Sequence, residues 1–312
     1  MKNPLVSVVI PTYRRPLQLK NAIDSVLQQS YKNIEIVIVD DNNLFDSLHD
    51  ETKKVVNSYD NEKRIKFVIQ GVQKGANAAR NAGITASSGL LIAFLDDDDI
   101  WLDEKIKSQV ELFEENNDLS FVYCNLLVTY NGEGDYVTEF NNETCKYESL
   151  LKRGEGVNAS AFIIKRDVLI KLKGFDVSLK SLTDYEIQLR LSREYKHSLV
   201  MKPLVKYLVN PDGISMNYNS KFLGKKKVLS MYKEEYIRLG LRSFYSKQNS
   251  LLGQYAILSG RKRFAFKYWG VSIINNPVQF KSYISIIVVS VGGAWLYNVL
   301  SKIYYMSRKI IN

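Results

Sequence analysis

Histidine and cysteine are nearly absent. The chain of 312 residues has two of each: His49, His197, Cys124 and Cys145. Zinc and haem centres lean on imidazole and thiolate, so this scarcity argues against both. Two cysteines with no CxxC pair cannot staple a chain of this size, and a reducing cytosol suits them best. Proline (6) and glycine (17) are sparse. No repeat with a period of about 20–50 residues is present, which excludes collagen-like and solenoid folds. The first apolar run leads into PTYRRP, not GxGxxG, and GxxxxGK[ST] is missing. A dinucleotide fingerprint and a P-loop are therefore excluded. The opening MKNPLVSVVIPTYRRP is too short in apolar residues before Pro11 and Arg14 to read as a signal peptide.

What is present is globular: 46% hydrophobic and 24% charged residues. The length suggests about two domains. Charge divides the chain unevenly. Met201–Asn312 carries 18 Lys and Arg against 3 Asp and Glu, a balance of +15, while Met1–Val200 carries 25 against 30, a balance of −5. A basic rear half points to an anionic surface such as phospholipid, nucleic acid or a phosphorylated ligand; plain solubility is the simpler reading.

Strand and helix signals alternate along the front half. Leu5–Ile10 is a β-branched apolar run closed by Pro11. Pro16 then opens a helix whose Leu19, Ala22, Ile23, Val26 and Leu27 share one face. Ile34–Val39, Ile65–Ile69 and Leu90–Leu95 read as strands. Ser47–Tyr59, Gly75–Ala86 and Asp103–Glu115 read as helices between and after them. This order predicts an α/β fold with a mostly parallel sheet covered on both faces, its ligand site at the carboxyl ends of the strands. The middle is mixed. Leu119–Tyr130, Ala159–Ile164 and Leu199–Val209 read as strands, Asp167–Leu172 and Thr183–Tyr195 as helices, and Asn131–Glu148 as a polar loop. After the turn signal Asn210-Pro211-Asp212-Gly213, the stretch from Lys221 onward is helical in pattern, basic and rich in tyrosine.

Two acidic runs carry the chemistry. Asp96-Asp97-Asp98-Asp99 directly follows the apolar strand LLIAFL. Side chains alternate along an extended chain, so Asp96 and Asp98 should point the same way and converge on a hard divalent cation. An acidic surface loop is the competing reading. An EF-hand is excluded, because the sixth position counted from Asp96 is Trp101 and the twelfth is Lys107. Asp40-Asp41 ends the second strand and could accept from a nucleobase N–H or a ribose hydroxyl, or simply cap the following helix.

The blocks VSVVIPTYRRP (Val6–Pro16), IEIVIVDDNN (Ile34–Asn43), GANAARNAGI (Gly75–Ile84), AFLDDDDIW (Ala93–Trp101) and GFDVSLKSLTDYEIQLRL (Gly174–Leu191) occur in one order. In that order and spacing they resemble the family 2 glycosyltransferases, which have the GT-A fold. The resemblance covers roughly residues 4 to 215, so a catalytic domain over 1–215 and a basic helical region over 216–312 are expected. It implies inverting transfer of a sugar from a nucleotide-diphosphate donor to a hydroxyl of a glycan or lipid-linked acceptor, with Mn²⁺ or Mg²⁺. Pro11, Thr12 and Tyr13 would line the nucleotide pocket, Asp40 or Asp41 would contact the base, and Arg80 would lie near the donor. Asp96 and Asp98 match the DxD pair that touches ribose and the diphosphate-bound metal, with Asp97 beside them on the donor side. Asp184 matches the acidic residue proposed as general base; a carboxylate in the first turn of a helix is the plainer reading of that position. Trp101 should anchor the following helix, and Arg190 should be structural. The sequence departs from the family at Thr183, where glutamate is usual, and near Asn210, where many members place a histidine; Asp212 or water would fill that role.

Ser282–Ser301 contains no charged residue, with Lys281 before it and Lys302, Arg308 and Lys309 after it. Its serines and glycines make it a poor membrane span, and its flanks lack the charge asymmetry of one. A helix lying in the membrane interface is preferred over a buried or a spanning one. The leading expectation is thus a cytoplasmic glycosyltransferase, peripheral on the inner face of the membrane and serving cell-surface polysaccharide synthesis. A non-catalytic sugar-nucleotide-binding scaffold is the alternative. A nucleotidyltransferase would show a Gly-rich, Arg- or Lys-bearing first turn, which is missing here. No nucleic-acid-binding module is recognisable.

Overall fold

A computed structural model describes residues 1–130, 135–209 and 217–311, the residues after 301 as helix backbone only. Asn210 and Asp212 lie outside the described residues. The chain forms two compact units. The first comprises Met1–Leu150, Gly156–Ser178 and Thr183–Asn210, and the second Leu151–Glu155, Leu179–Leu182 and Pro211–Asn312.

The first unit starts as a strand–helix alternation: β1 (Val6–Thr12), α1 (Pro16–Leu27), β2 (Ile34–Asp40), α2 (Ser47–Asn57), β3 (Ile65–Ile69), α3 (Ala76–Ala86) and β4 (Leu91–Phe94). It continues with β5 (Ile100–Trp101), α4 (Lys105–Glu115), β6 (Leu119–Tyr130), β7 (Asp135–Val137), α5 (Tyr147–Arg153), β8 (Ile163–Lys165), α6 (Arg166–Lys171), α7 (Thr183–Glu194) and β9 (Lys196–Val209). Across the sheet the order is β3-β2-β1-β4-β8-β6-β9-β5, with β7 on β6. β3, β2, β1 and β4 run parallel, with Val6 opposite both Ile34 and Leu91.

The rest of the sheet is mixed, which corrects the expectation of a mostly parallel one. β8 opposes β4 and β6, and β5 opposes β9, while β6 and β9 run parallel. The local cause lies at Ala159–Ile164, which is not one strand. Asn158 accepts from the Ser160 N–H at 2.6 Å and starts a 3₁₀ turn over Ala159–Ala161. That turn is fastened at the carboxyl end of β4, so β8 enters the sheet from that edge and must run against β4. The polar stretch 131–148 also holds more than a loop: β7 pairs with β6, and α5 begins at Tyr147.

β1, β2 and β4 are buried at every position, so both faces of the parallel half are covered. α1 buries Leu19, Ala22, Ile23 and Val26, its predicted face. α3 approaches β1 so closely that a Cβ on Gly83 would sit 2.2 Å from Val9 Cγ1, which only glycine avoids. α4 buries Ile106, Val110 and Phe113.

The second unit contains α8 (Tyr218–Met231), α9 (Lys233–Arg238), α10 (Arg242–Leu258), α11 (Lys262–Asn275) and α12 (Phe280–Ile311). It also claims the short segment 151–155 of the front half. Lys225 Nζ donates to Gly154 O (2.6 Å), Tyr236 Oη to Leu151 O (2.7 Å) and Gln248 Nε2 to Arg153 O (3.0 Å). Burial pulls the Lys225 ammonium down to about 8.

Glu35 on β2 ties the amino-terminal edge of the sheet together. Its carboxylate accepts from Ser7 Oγ (2.5 Å), Ser88 N (2.6 Å) and Ser88 Oγ (2.7 Å), and pairs with Lys66 Nζ at 2.6 Å. Burial works against the charge, but Lys66 and these donors outweigh it and hold the pKa at about 2. A depressed acid pKa stabilises the fold above its unfolded value and loses that contribution as pH falls toward the folded one. Glu35→Gln should therefore cost on the order of 3 kcal/mol at neutral pH. The cost should shrink as pH drops from about 4.5 toward 2, as read by denaturant titration at each pH. An equal cost at all pH values would refute the linkage.

Candidate active site

The ends of β1, β2 and β4 meet at one edge of the sheet, since Thr12 pairs with Asp40 and Val9 with Phe94. β4 then delivers the four aspartates, which bend into a turn over Asp97-Asp98 closed by the Asp99 N–H donating to Asp96 O (3.0 Å). Asp97 and Asp99 are buried, whereas Asp96 and Asp98 are about a quarter exposed (24% and 25%). The expectation of an extended chain with alternating sides is corrected here, because the turn over Asp97-Asp98 sets where each carboxylate goes.

Each carboxylate is held by a different element. Asp97 Oδ2 accepts from Thr12 Oγ1 (2.8 Å) and from Tyr13 N (3.4 Å), so the end of β1 clasps it. Arg15 Nη1 reaches both Asp97 Oδ1 (3.0 Å) and Asp98 Oδ2 (2.5 Å). Arg80 on α3 donates from Nη2 to Asp96 Oδ1 (2.5 Å). Ser160, in the 3₁₀ turn, donates from Oγ to Asp99 Oδ2 (2.6 Å), and its Oγ accepts from Asp96 N (3.1 Å). Trp101 Nε1 donates to Ser160 O (2.9 Å), and Lys105 Nζ lies 3.8 Å from the Trp101 ring centroid. Trp101 is thus a buried anchor linking the turn to α4.

Asp184 opens α7 and faces the same cluster. Its Oδ2 accepts from Ala159 N (3.1 Å), and its Oδ1 lies 3.9 Å from Arg80 Nη1. One guanidinium therefore stands between Asp96 and Asp184. The GANAARNAGI block explains this placement. Asn81 exchanges two hydrogen bonds with the Phe175 backbone (2.8 and 2.9 Å), and Asn77 donates to Asp176 O (2.7 Å). These contacts fix α3 while Arg80 turns to the acids, its guanidinium 5.3 Å from the Phe175 ring centroid.

The electrostatics follow first from burial and then from crowding. Burial pushes Asp97 up to about 6 against the pull of Arg15. Burial and the neighbouring Asp96 raise Asp98, and raise Asp99 well above the carboxylate range. Asp184 is raised by burial, opposed by Arg80 and reinforced by Asp96. Burial opposes the charge of both arginines, yet the aspartates beside them hold Arg15 and Arg80 firmly protonated.

Asp40 and Asp41 stand apart from this cluster. Asp40 is wholly buried; Asn42 N and Nδ2 donate to its Oδ1 (2.9 and 2.6 Å), and His49 Nδ1 lies 2.6 Å from its Oδ2. The expectation of Asp40 as a base contact is corrected on that ground, since its oxygens are enclosed and its part is to fix the end of β2. Asp41 holds the loop that starts α3, accepting from Gln70 Nε2 (2.7 Å), Lys74 N (2.7 Å) and Gly75 N (2.8 Å). Pro11 is buried within β1 and Tyr13 is half-buried. Arg190 makes a two-pronged contact to Glu186 (2.7 and 2.8 Å) away from the acids.

Arg15, Ser160 and Tyr207 were not singled out by sequence reasoning. PTYRRP offers two arginines with nothing to separate them; Arg14 turns outward, 3.7 Å from Asp46. Ser160 carries no pattern, because its value lies in tertiary contacts. The Tyr207 phenol on β9 is raised by burial and by the field of Asp99, Asp96, Asp184 and Asp98.

The glycosyl transferase family 2 model matches residues 7–172. The chain belongs to glycosyltransferase family 2. This glycosyltransferase is 30% identical over 272 residues to the Escherichia coli UDP-Glc:alpha-D-GlcNAc-diphosphoundecaprenol beta-1,3-glucosyltransferase, covering 86% of this chain and 98% of that one. It is 33% identical over 186 residues to the Campylobacter jejuni GalNAc(5)-diNAcBac-PP-undecaprenol beta-1,3-glucosyltransferase, covering 58% and 53%. Among solved structures, S. aureus TarS 1–349 in complex with UDP-GlcNAc matches with a TM-score of 0.61 at 16% identity, over 97% of this chain and 92% of that one. The mannosyltransferase PcManGT from Pyrobaculum calidifontis, in complex with GDP-Man and Mn²⁺, matches with a TM-score of 0.56 at 14% identity, over 97% and 80%. The fold of the glycosyltransferase is GT-A.

Removing Arg80 leaves Asp96 and Asp184 facing each other without a counter-charge. Arg80→Met should cost roughly 2–3 kcal/mol at neutral pH, less than for a wholly enclosed pair because both carboxylates are partly exposed. The loss should narrow in acid, where the carboxylates take up protons, as read by urea titration near pH 7 and pH 5. A loss independent of pH would assign Arg80 a packing role only.

Proposed function

We propose that this glycosyltransferase catalyses inverting transfer of a sugar from a nucleotide-diphosphate donor to a hydroxyl of a lipid-linked glycan, in cell-surface polysaccharide synthesis. The observation that carries the reading is the single guanidinium of Arg80 between Asp96 and Asp184. It brings Asp96, assigned to the donor, and Asp184, assigned as the base, to one side chain, which supports the pairing of these two roles. The undecaprenol-linked substrates in the names of the Escherichia coli and Campylobacter relatives support the acceptor class. The UDP-GlcNAc complex of the structural neighbour makes a UDP-sugar the donor to test first.

The donor set suits a divalent cation that arrives with the diphosphate. Asp96 and Asp98 offer partly exposed hard oxygens two residues apart. Among the described residues, no group of three or more His, Cys, Asp or Glu side chains could hold a metal unaided. Magnesium and manganese accept one or two carboxylates completed by phosphate oxygens. When bound, such a cation supplies Lewis-acid neutralisation of the leaving diphosphate. Arg15 and Arg80 hold Asp97, Asp98 and Asp96 in place for it.

In the proposed reaction Asp184 accepts the proton of the acceptor hydroxyl as that oxygen attacks the anomeric carbon, from the face opposite the leaving diphosphate. The hydrogen bond from Ala159 N holds the carboxylate in position, and its raised pKa makes it a stronger base than an exposed aspartate. Asp97, clasped by Thr12 and Arg15, keeps the end of β1 against the acidic tip, so that Pro11, Thr12 and Tyr13 form the nucleotide side of the pocket. Asp41 shapes the base side by holding the loop before α3. The basic second unit and its apolar helix support a cytoplasmic enzyme peripheral on the inner face of the membrane.

Asp184→Asn should lower turnover by about 10²–10⁴-fold while donor affinity changes by no more than a few-fold, measured by product formation and titration calorimetry. Full activity in that variant would favour the sugar-nucleotide scaffold instead. Because the base acts deprotonated, kcat/KM should rise with pH along a limb lying above the ordinary carboxylate range. A limb at ordinary aspartate values would remove Asp184 from the role.

A further inference from the structure

Helix α12 is built inside-out. Its buried positions are Ser282, Ser285 and Val289. Ser282 Oγ hydrogen-bonds Ser250 Oγ and Ser272 Oγ, both at 2.9 Å, and Ser246 Oγ donates to Ser272 O at 2.7 Å. Small hydroxylated residues thus make the seam with α10 and α11. The large apolar side chains point away from it: Phe280, Ile284, Ile287 and Val291 follow steps of four, three and four residues along one exposed stripe, and Val291 is 81% exposed. Ile274 and Val278, just before α12, extend the same patch. An amphipathic helix in water turns this face inward; a helix whose neighbour is hydrocarbon turns it outward and packs through small residues.

The segment Phe280–Ser301 has a mean hydropathy of 1.7 and is long and apolar enough to cross a bilayer. The backbone argues otherwise. Gly293 adopts φ 64° and ψ −166°, which no helix contains, and it splits α12 in two. The part from Phe280 to Gly292 is about 20 Å long, short of the roughly 30 Å hydrocarbon core. The part after Gly293 soon meets Lys302, Arg308 and Lys309 in the sequence. Neither half spans.

The start of α12 also forms one wall of a cleft of about 390 Å³, in which Leu251, Val278 and Phe280 supply apolar surface and Lys247 and Lys281 supply positive charge. Ammonium groups beside an apolar stripe complement a phosphate head joined to a hydrocarbon tail.

We propose that the outer face of α12, with the Lys247–Lys281 cleft at its start, is a docking surface for an anionic phospholipid leaflet. The first half of the helix lies in the interface with Ile284, Ile287 and Val291 among the acyl chains, and the cleft takes a lipid phosphate. This rests on the peripheral membrane location given above and identifies the surface that produces it.

The test uses the full-length protein and vesicles of phosphatidylcholine, alone or with about one-third phosphatidylglycerol. Trp101 and Trp269 are buried, so Trp295, at 74% exposure, is the fluorescence reporter. Flotation with anionic vesicles alone is expected, with a blue shift of Trp295 and stronger quenching by lipids brominated near the head than near the chain end. Ile287→Asp should weaken vesicle binding at least tenfold, and Lys247→Glu with Lys281→Glu should abolish the preference for anionic lipid. Both variants should keep the wild-type melting temperature and UDP-sugar binding; were the aspartate variant to unfold, Trp295 quenching in the wild type decides alone. Four results would overturn the proposal: no binding to any vesicle, equal binding to neutral vesicles, a Trp295 shift that depends on protein concentration without lipid, or resistance to carbonate extraction, which marks a span. Donor binding without vesicle binding would remove this surface and leave the catalytic reading standing. Vesicle binding without donor binding would do the reverse.

Discussion

Four adjacent carboxylates at the end of a buried strand repel one another, and the first unit is organised around holding them there. Two like charges about 4 Å apart cost on the order of 4 kcal/mol at an effective dielectric near 20. The turn over Asp97-Asp98 buries Asp97 and Asp99 and leaves Asp96 and Asp98 partly exposed. The repulsion is met by groups from distant parts of the chain: Thr12 and Arg15 after β1, Arg80 on α3, and Ser160 in the turn before β8. Other features of the unit follow from this. The antiparallel entry of β8, the glycine contact of α3 on Val9 and the asparagine clasp on Phe175 all serve to deliver one of those groups.

The balance is incomplete, and that incompleteness is the chemical content of the site. Arg15 and Arg80 are two cations set against Asp96, Asp97, Asp98, Asp99 and Asp184. The proton affinities of Asp97, Asp98, Asp99 and Asp184 are raised first by burial and further by this surplus. A site with unmet negative charge on an open face attracts a further cation, and a diphosphate brings one with it. In the proposed reaction burial keeps Asp184 basic, with Asp96 adding to it.

Much of this was legible in residues. Ile65–Ile69 and Leu119–Tyr130 are strands over the predicted bounds, because β-branched runs closed by polar residues leave little choice. The α1 face was readable from helical spacing, whereas the four aspartates, read as a continuation of the strand, bend into a turn. What escaped was decided by contacts far apart in sequence. Ala159–Ile164 is as apolar as a strand, but Asn158 caps it into a turn that then holds Asp96 and Asp99. Asp40 looks like a ligand in a list of acidic residues; its burial against His49 depends on where α2 packs. Arg14 and Arg15 are equivalent as letters, and only the bend after β1 tells them apart. The two-residue β5 has no signal of its own.

In the second unit α12 obeys a different constraint, with serine hydroxyls in its seam and an apolar stripe exposed, and of the family's blocks only Leu179–Leu182 falls in that unit. The central claim concerns the acidic tip, and titration calorimetry of UDP with and without Mn²⁺ tests it most directly, on the wild type and on Asp96→Asn. The account predicts that Mn²⁺ tightens nucleotide binding at least tenfold in the wild type, a gain of about 1.4 kcal/mol, and that this gain vanishes in Asp96→Asn. An undiminished Mn²⁺ effect in Asp96→Asn, or none in the wild type, would contradict it.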